Sequence, residues 1–136
     1  MGQQQLLLIV LGVIIVGIAI VVGINLFNAN SVSANRDAVI ADLQNIAALA
    51  HQYYIRPSAM GGGQNSFAGF DDTKLSQAGL ASNANGKYSV KTAGDQNSIT
   101  FEGVGTGIVT GTTHVTVDLK VNAPQTGVTD SVSVVN

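Results

Sequence analysis

The sequence predicts an α+β fold: one long N-terminal helix, hydrophobic in its first half and amphipathic in its second, packed on a small antiparallel sheet of three or four strands. Three observations predict it. Leu6 to Ile24 is an apolar run of 19 residues, inside an opening stretch, Met1 to Asn35, that holds no Asp, Glu, Lys or Arg. An apolar stripe of helical period then runs to Tyr53. From Lys87 onward the hydrophobic period falls from about 3.6 to about 2, the mark of half-buried strands.

The apolar run comes first. As a helix it measures about 28 Å at ~1.5 Å per residue, close to the ~30 Å hydrocarbon thickness of a bilayer. A cleaved secretory signal needs a basic n-region and a shorter apolar core, and MGQQQ is uncharged. A plain membrane anchor is expected to carry Lys or Arg beside the span, and none precedes Arg36. A helix stored in the membrane that later packs against copies of itself accounts for the missing charge on every face. Gly12, Gly17 and Gly23 fit that reading, since each lowers helix stability by ~1 kcal/mol relative to Ala yet lets backbones approach. Ala19 and Gly23 form one small-xxx-small pair.

In the second half, Val32, Val39, Leu43, Ile46, Ala50 and Tyr53 recur at steps of 7, 4, 3, 4 and 3. Asn35, Asp42, Asn45 and Gln52 fall off this stripe. The helix is expected to stop near Arg56, because Pro57 disfavours helical geometry in the residue before it, and Gly61-Gly62-Gly63 follows. Ser58 to Gly86 reads as a glycine-rich loop with a short turn of helix at Thr73–Ala78. Tyr88 and Val90 alternate with Lys87, Ser89 and Lys91, and Ile99 and Phe101 with Ser98, Thr100 and Glu102. Thr113–Asn122 is the clearest strand, with Val115, Val117, Leu119 and Val121 on one face. Asp130–Val135 is a last short strand, and AGDQN and Pro124–Gly127 supply turns. The oily sheet face and the helix stripe need each other, so the stripe residues Val39, Leu43, Ile46, Ala50 and Tyr53 are expected to pack on the sheet. The chain thus divides into a hydrophobic stalk, 1–30, and a head, 31–136, made of the amphipathic helix 31–56, the loop 57–86 and the sheet 87–136.

Composition narrows the function. Charged residues are 10% of the chain, and all fourteen lie between Arg36 and Asp130. So few charges imply that part of the surface meets lipid or protein rather than water. A net charge of −2 and no basic stripe give no footprint for nucleic acid. There is no Cys, hence no disulfide or thiolate site, and no N-x-[ST] sequon.

A hydrophobic N-terminal helix that turns amphipathic and docks on a small sheet resembles a type IV pilin or pseudopilin. GQQQLLLIVLGVIIVGIAIVVGINLF carries the stalk likeness and ANRDAVIADLQNIAALAHQYYIRP the packed half. The resemblance implies an extracellular filament, a homopolymer cored by the N-terminal helices, and a single-span inner-membrane protein before assembly. It implies pilus assembly machinery and a prepilin peptidase as partners, and methylation of the mature amine. Processing is expected at Met1, or after Gly2 to leave Gln3 first. The family usually places a glutamate fifth. Here Gln5 stands there if Met1 is first, and Leu7 if Gln3 is. An uncharged amide costs less in an apolar core than a carboxylate. The helix-breaking proline many pilins carry is replaced by Val21-Val22-Gly23, and the C-terminal cysteine pair is absent. The assembly helix is then Gln5, Leu6, Leu7, Leu8, Ile9, Val10, Leu11, Gly12, Ile14, Gly17, Ala19 and Gly23.

Chemistry is sparse. His51 and His114 lie in no ligand spacing and read as surface or packing residues. Asp71-Asp72 lacks an EF-hand pattern and reads as a solvated turn or helix N-cap. GVGTG and MGGG resemble phosphate loops superficially, with no helix or Lys-Ser/Thr after them. No cofactor, metal or enzyme activity is expected. Thirteen Ser and Thr between Asn83 and Asn136 are β-formers first and O-glycosylation candidates second. Three readings remain: the major subunit of a type IV-like filament serving motility or adhesion, a membrane-tethered minor pilin or pseudopilin, and an archaeal-type pilin.

Overall fold

A computed structural model describes residues 2–135; Met1, one of the expected processing positions, lies outside the described residues. Helix α1 spans Gly2–Ile55 without interruption, 54 residues and about 80 Å. The polar bridge NLFNANSVSAN contains no Gly or Pro, so the backbone ladder passes straight from the greasy half into the amphipathic half. After it come α2, Asp72–Gln77, and four strands: β1 Gly86–Thr92, β2 Ser98–Thr110, β3 Thr113–Asn122 and β4 Ser131–Val134. The strands form one antiparallel sheet in the order β1-β2-β3-β4, so the chain is an α+β protein with a helix laid on a meander.

Register follows the period-2 pattern. Tyr88 pairs with Gly103, which pairs with Val117, and Val90 pairs with Phe101, which pairs with Leu119. These residues share the face that meets α1. Val39, Leu43, Ile46 and Ala50 are buried there against Phe101, Val115, Val117, Leu119 and Val121. The last stripe position differs from the expected one. Tyr54 goes under the head at 4% exposure, while Tyr53 stays half-buried at its edge. Phe67 decides this, because its ring stacks 4.9 Å from that of Tyr54. Tyr53 instead donates its hydroxyl to Ala68 O at 2.9 Å and meets Phe70 edge-on at 5.2 Å.

The loop after α1 serves as its C-cap. The last carbonyls of a helix lack intrahelical partners. Here Gly63 N donates to Tyr53 O (2.8 Å), Asn65 N to Tyr54 O (2.7 Å) and Gln64 N to Arg56 O (3.0 Å). A side chain at Gly63 would place its Cβ 1.8 Å from Ser66 O, so the tight return needs glycine. The loop then drops Phe67 and Phe70 into the core, both at or below 3% exposure.

β2 runs well past the segment that alternates in sequence. Gly103, Gly105 and Gly107 replace the inward side chains where α1 crosses closest. A Cβ on Gly103 would sit 2.8 Å from Val39 Cγ1, and one on Gly105 2.2 Å from Asn35 Oδ1. GVGTG is therefore a strand under a helix and not a turn, which disposes of its likeness to a phosphate loop. Asn35 uses that closeness. Its Oδ1 accepts from Gly107 N (2.9 Å), and its Nδ2 donates to Asn85 O (2.9 Å) and Thr106 Oγ1 (3.2 Å). Gly105→Ala is expected to push the helix off this contact and destabilise the head by about 1–3 kcal/mol. The check is the thermal transition of the full chain in detergent; an unshifted midpoint contradicts the close approach.

Candidate assembly surface

Residues 2–31 are exposed throughout, and only near Asn28 and Ala29 do they adjoin the sheet, at Ile108 and Val109 of β2. Every residue from Leu6 to Phe27 is exposed, its large apolar side chains from Val10 at 47% to Phe27 at 73%. The segment is apolar all round, and its best 18-residue window has a mean hydropathy of 3.3. A helix hydrophobic on every face belongs in lipid or in the interior of a larger body. All the assembly-helix candidates lie here: Gln5, Leu6, Leu7, Leu8, Ile9, Val10, Leu11, Gly12, Ile14, Gly17, Ala19 and Gly23 are exposed, as are Gly2 and Gln3.

The glycines sharpen the reading. A Cβ on Gly12, Gly17 or Gly23 would meet nothing within 4 Å. Contacts within the chain therefore do not account for them, in contrast to Gly103 and Gly105. At about 100° per residue they are rotated about 140° and then about 240° from one another. Gly23 therefore returns to within about 20° of Gly12, and the three thin the helix on two sides, Gly12 and Gly23 on one and Gly17 on another, whereas a two-helix seam would align them all on one.

The polar groups of the head are mostly engaged in holding it together. Asp42, one helical heptad beyond Asn35, accepts from Tyr88 Oη (2.6 Å), Asn83 Nδ2 (2.8 Å) and Asn85 Nδ2 (3.0 Å). Burial pushes the Asp42 carboxyl up, but the three hydrogen bonds outweigh it and hold its pKa below the ordinary value. Burial and the adjacent Asp42 push the Tyr88 phenol well up. Asp42 and Asn35 thus clamp α1 to the approach of β1, and only their off-stripe position in the sequence hinted at it.

Because the folded-state pKa of Asp42 is lowered, its contribution is present above the unfolded value near 3.8 and lost as pH falls through the folded value. Asp42→Ala, which leaves three donors without their acceptor, is expected to cost about 1–3 kcal/mol at neutral pH and to flatten the acid limb of the stability profile. Equal acid sensitivity in both proteins contradicts this.

The two histidines do not share a site. His51 Nε2 lies 2.9 Å from Asp130 Oδ2, and Asp130 Oδ1 accepts from Asn122 N at 2.8 Å, tying α1 to the turn before β4. His114 is exposed at the start of β3. Asp71 is the N-cap of α2, accepting from Lys74 N at 3.3 Å and from the Thr73 hydroxyl; Asp72 accepts from Val90 N at 2.7 Å. On the outer sheet face Lys91 joins Asp118 (2.5 Å) and Glu102 (3.3 Å), whose contacts raise its pKa. Among the described residues no three His, Asp or Glu side chains gather as a metal site.

No family model, curated protein or solved structure matches the chain.

Proposed function

We propose that this chain is the structural major subunit of an extracellular type IV pilus-like helical filament, assembled by packing of its N-terminal hydrophobic helices. One observation carries the reading: a charge-free helical segment of 30 residues, exposed throughout and apolar on every face from Leu6 to Ile24, is continuous with a second half that is buried in a folded head. Such a segment needs a cover on all sides. A bilayer provides one before assembly, and copies of the same helix provide one after it. Glycines on two sides suit a bundle in which each helix has more than one neighbour, and an anchor gains nothing from them. The resemblance to type IV pilins supports the same assignment, with storage in the inner membrane, processing by a prepilin peptidase and passage through an assembly machine.

Gln5 is the feature specific to this chain. Lying on the stalk with no carboxylate nearby, it offers neighbouring helices an amide that hydrogen-bonds without bringing a charge into the core. The test is to shear filaments from cells producing the chain and identify their bulk protein by mass spectrometry. The expected result is thin helical filaments composed mainly of this chain. Chain found only as membrane monomers overturns the reading. Trace amounts in filaments of another protein assign it instead to a minor pilin or pseudopilin role.

A further inference from the structure

Most charges in the head have a partner within the chain. Seven of its eight carboxylates make a hydrogen bond or ion pair; Asp37, exposed on α1, is the one that makes none among the described residues. At the far end of the same helix an open cavity of about 350 Å³ is bounded by Leu49, Gln52 and Tyr53 of α1, by Arg56 just after it, by Met60, and by Lys74 of α2. Arg56 and Lys74 form no ion pair among the described residues; the Lys74 ammonium lies over the Tyr53 ring, 5.8 Å from its centroid.

Helix geometry relates the two features. Nineteen residues separate Asp37 from Arg56, an axial distance of about 28 Å. Continued on the helical screw, Leu49, Gln52, Tyr53 and Arg56 are centred about 110° round the axis from Asp37. Within one chain they cannot meet. On two parallel copies displaced by that distance, one copy's lone carboxylate comes level with the other's pair of cations, and the two sites face different sides. That is the arrangement of a heterologous contact, which repeats without closing.

We propose that the Arg56–Lys74 cavity receives Asp37 of a neighbouring copy displaced about 28 Å along the helix axis. The proposal rests on the filament reading and names a head-to-head contact within it. The Asp37 carboxylate enters a cleft whose apolar walls, Leu49 and Met60, limit its exposure to water, and the guanidinium and ammonium donate to it. The same complementarity sets the stagger between copies through an ion pair, which the uncharged stalk cannot form.

Charge exchange in the full-length chain tests this. Asp37→Arg alone, and Arg56→Glu with Lys74→Gln, are each expected to lower sheared filament yield at least about tenfold, and the three changes together to restore it to within about threefold of the parent. The thermal transition of the head, read on each variant, is expected to stay close to the parent's, because Asp37 and Arg56 are exposed and Lys74→Gln gives up the contact over the exposed edge of Tyr53 without opening the core. Neutral versions, Asp37→Asn and Arg56→Gln with Lys74→Gln, repeat the comparison and are expected to be no worse combined than singly. Parent-level filaments from Asp37→Arg, or no recovery on exchange, overturn the contact while leaving the filament reading standing. A parent chain that forms no filaments overturns both.

Discussion

Replacing Ile14 by Asp is expected to abolish filaments while leaving the head folded. Ile14 is 53% exposed and lies outside the head's core, so no intrachain packing is lost. The effect must come from what surrounds the stalk. A carboxylate at the centre of a membrane helix costs roughly 2.5–3.5 kcal/mol on insertion scales, and it meets the same absence of partners in a bundle of apolar helices. In the proposed filament every subunit would carry the change, so the penalty would repeat at each step of assembly. Gly17→Asp is expected to behave alike, since a Cβ there has open space in the single chain and would meet a neighbouring backbone in the proposed bundle. Ile14→Val keeps the surface apolar and is expected to leave assembly near normal. Sheared filament yield separates these outcomes, with the head's thermal transition as the folding control. Normal filaments from Ile14→Asp contradict a dry helical core.

The largest expected effect on stability is at Phe67. Its side chain is fully buried, stacked 4.9 Å from Tyr54 and edge-on to His51 at 6.2 Å, and its N–H donates to Asp95 O at 2.9 Å. Gly94 lies so close that a Cβ there would fall 2.2 Å from Phe67 O. The ring therefore pins the loop that caps α1 to the turn between β1 and β2. Phe67→Ala is expected to cost about 3–5 kcal/mol, because walls held by the sheet and by α1 cannot collapse into the space left. Chemical denaturation of the full chain in detergent measures it. A loss below ~1 kcal/mol would mean that the loop is not part of the head's core.

The fold was legible in the sequence wherever periodicity had room to show. The stripe from Val39 to Ala50 is buried at each of its positions, and β3 runs over Thr113–Asn122 as the alternation from Val115 to Val121 indicates. It was illegible where glycine stands in for the buried residue. β2 continues to Thr110, but its inward positions 103, 105 and 107 carry no side chain, so the hydrophobic alternation vanishes where α1 lies closest. Phe67 and Phe70 sit in a glycine-rich segment with no period of its own, and only their aromatic bulk marks them as core. Tyr53 and Tyr54 fit a helical stripe equally well, and the docking of Phe67 chooses between them.

The stalk was the easiest part to recognise, since charge and length mark it without tertiary information. The directions of its glycines needed only helical geometry. What no single-chain reading supplies is the set of neighbours. Asp37 and the Arg56–Lys74 cavity lie at opposite ends of the head, and only a second copy brings them together.

The most direct measurement is a helical reconstruction by electron cryo-microscopy of filaments sheared from cells producing this chain. The expected density has residues 2–31 of many copies packed as a central helical bundle, with Gly12, Gly17 and Gly23 at helix–helix contacts and the four-stranded sheets outside. Filaments whose axis is built from the heads, with the apolar helices splayed outward or still in lipid, would contradict it.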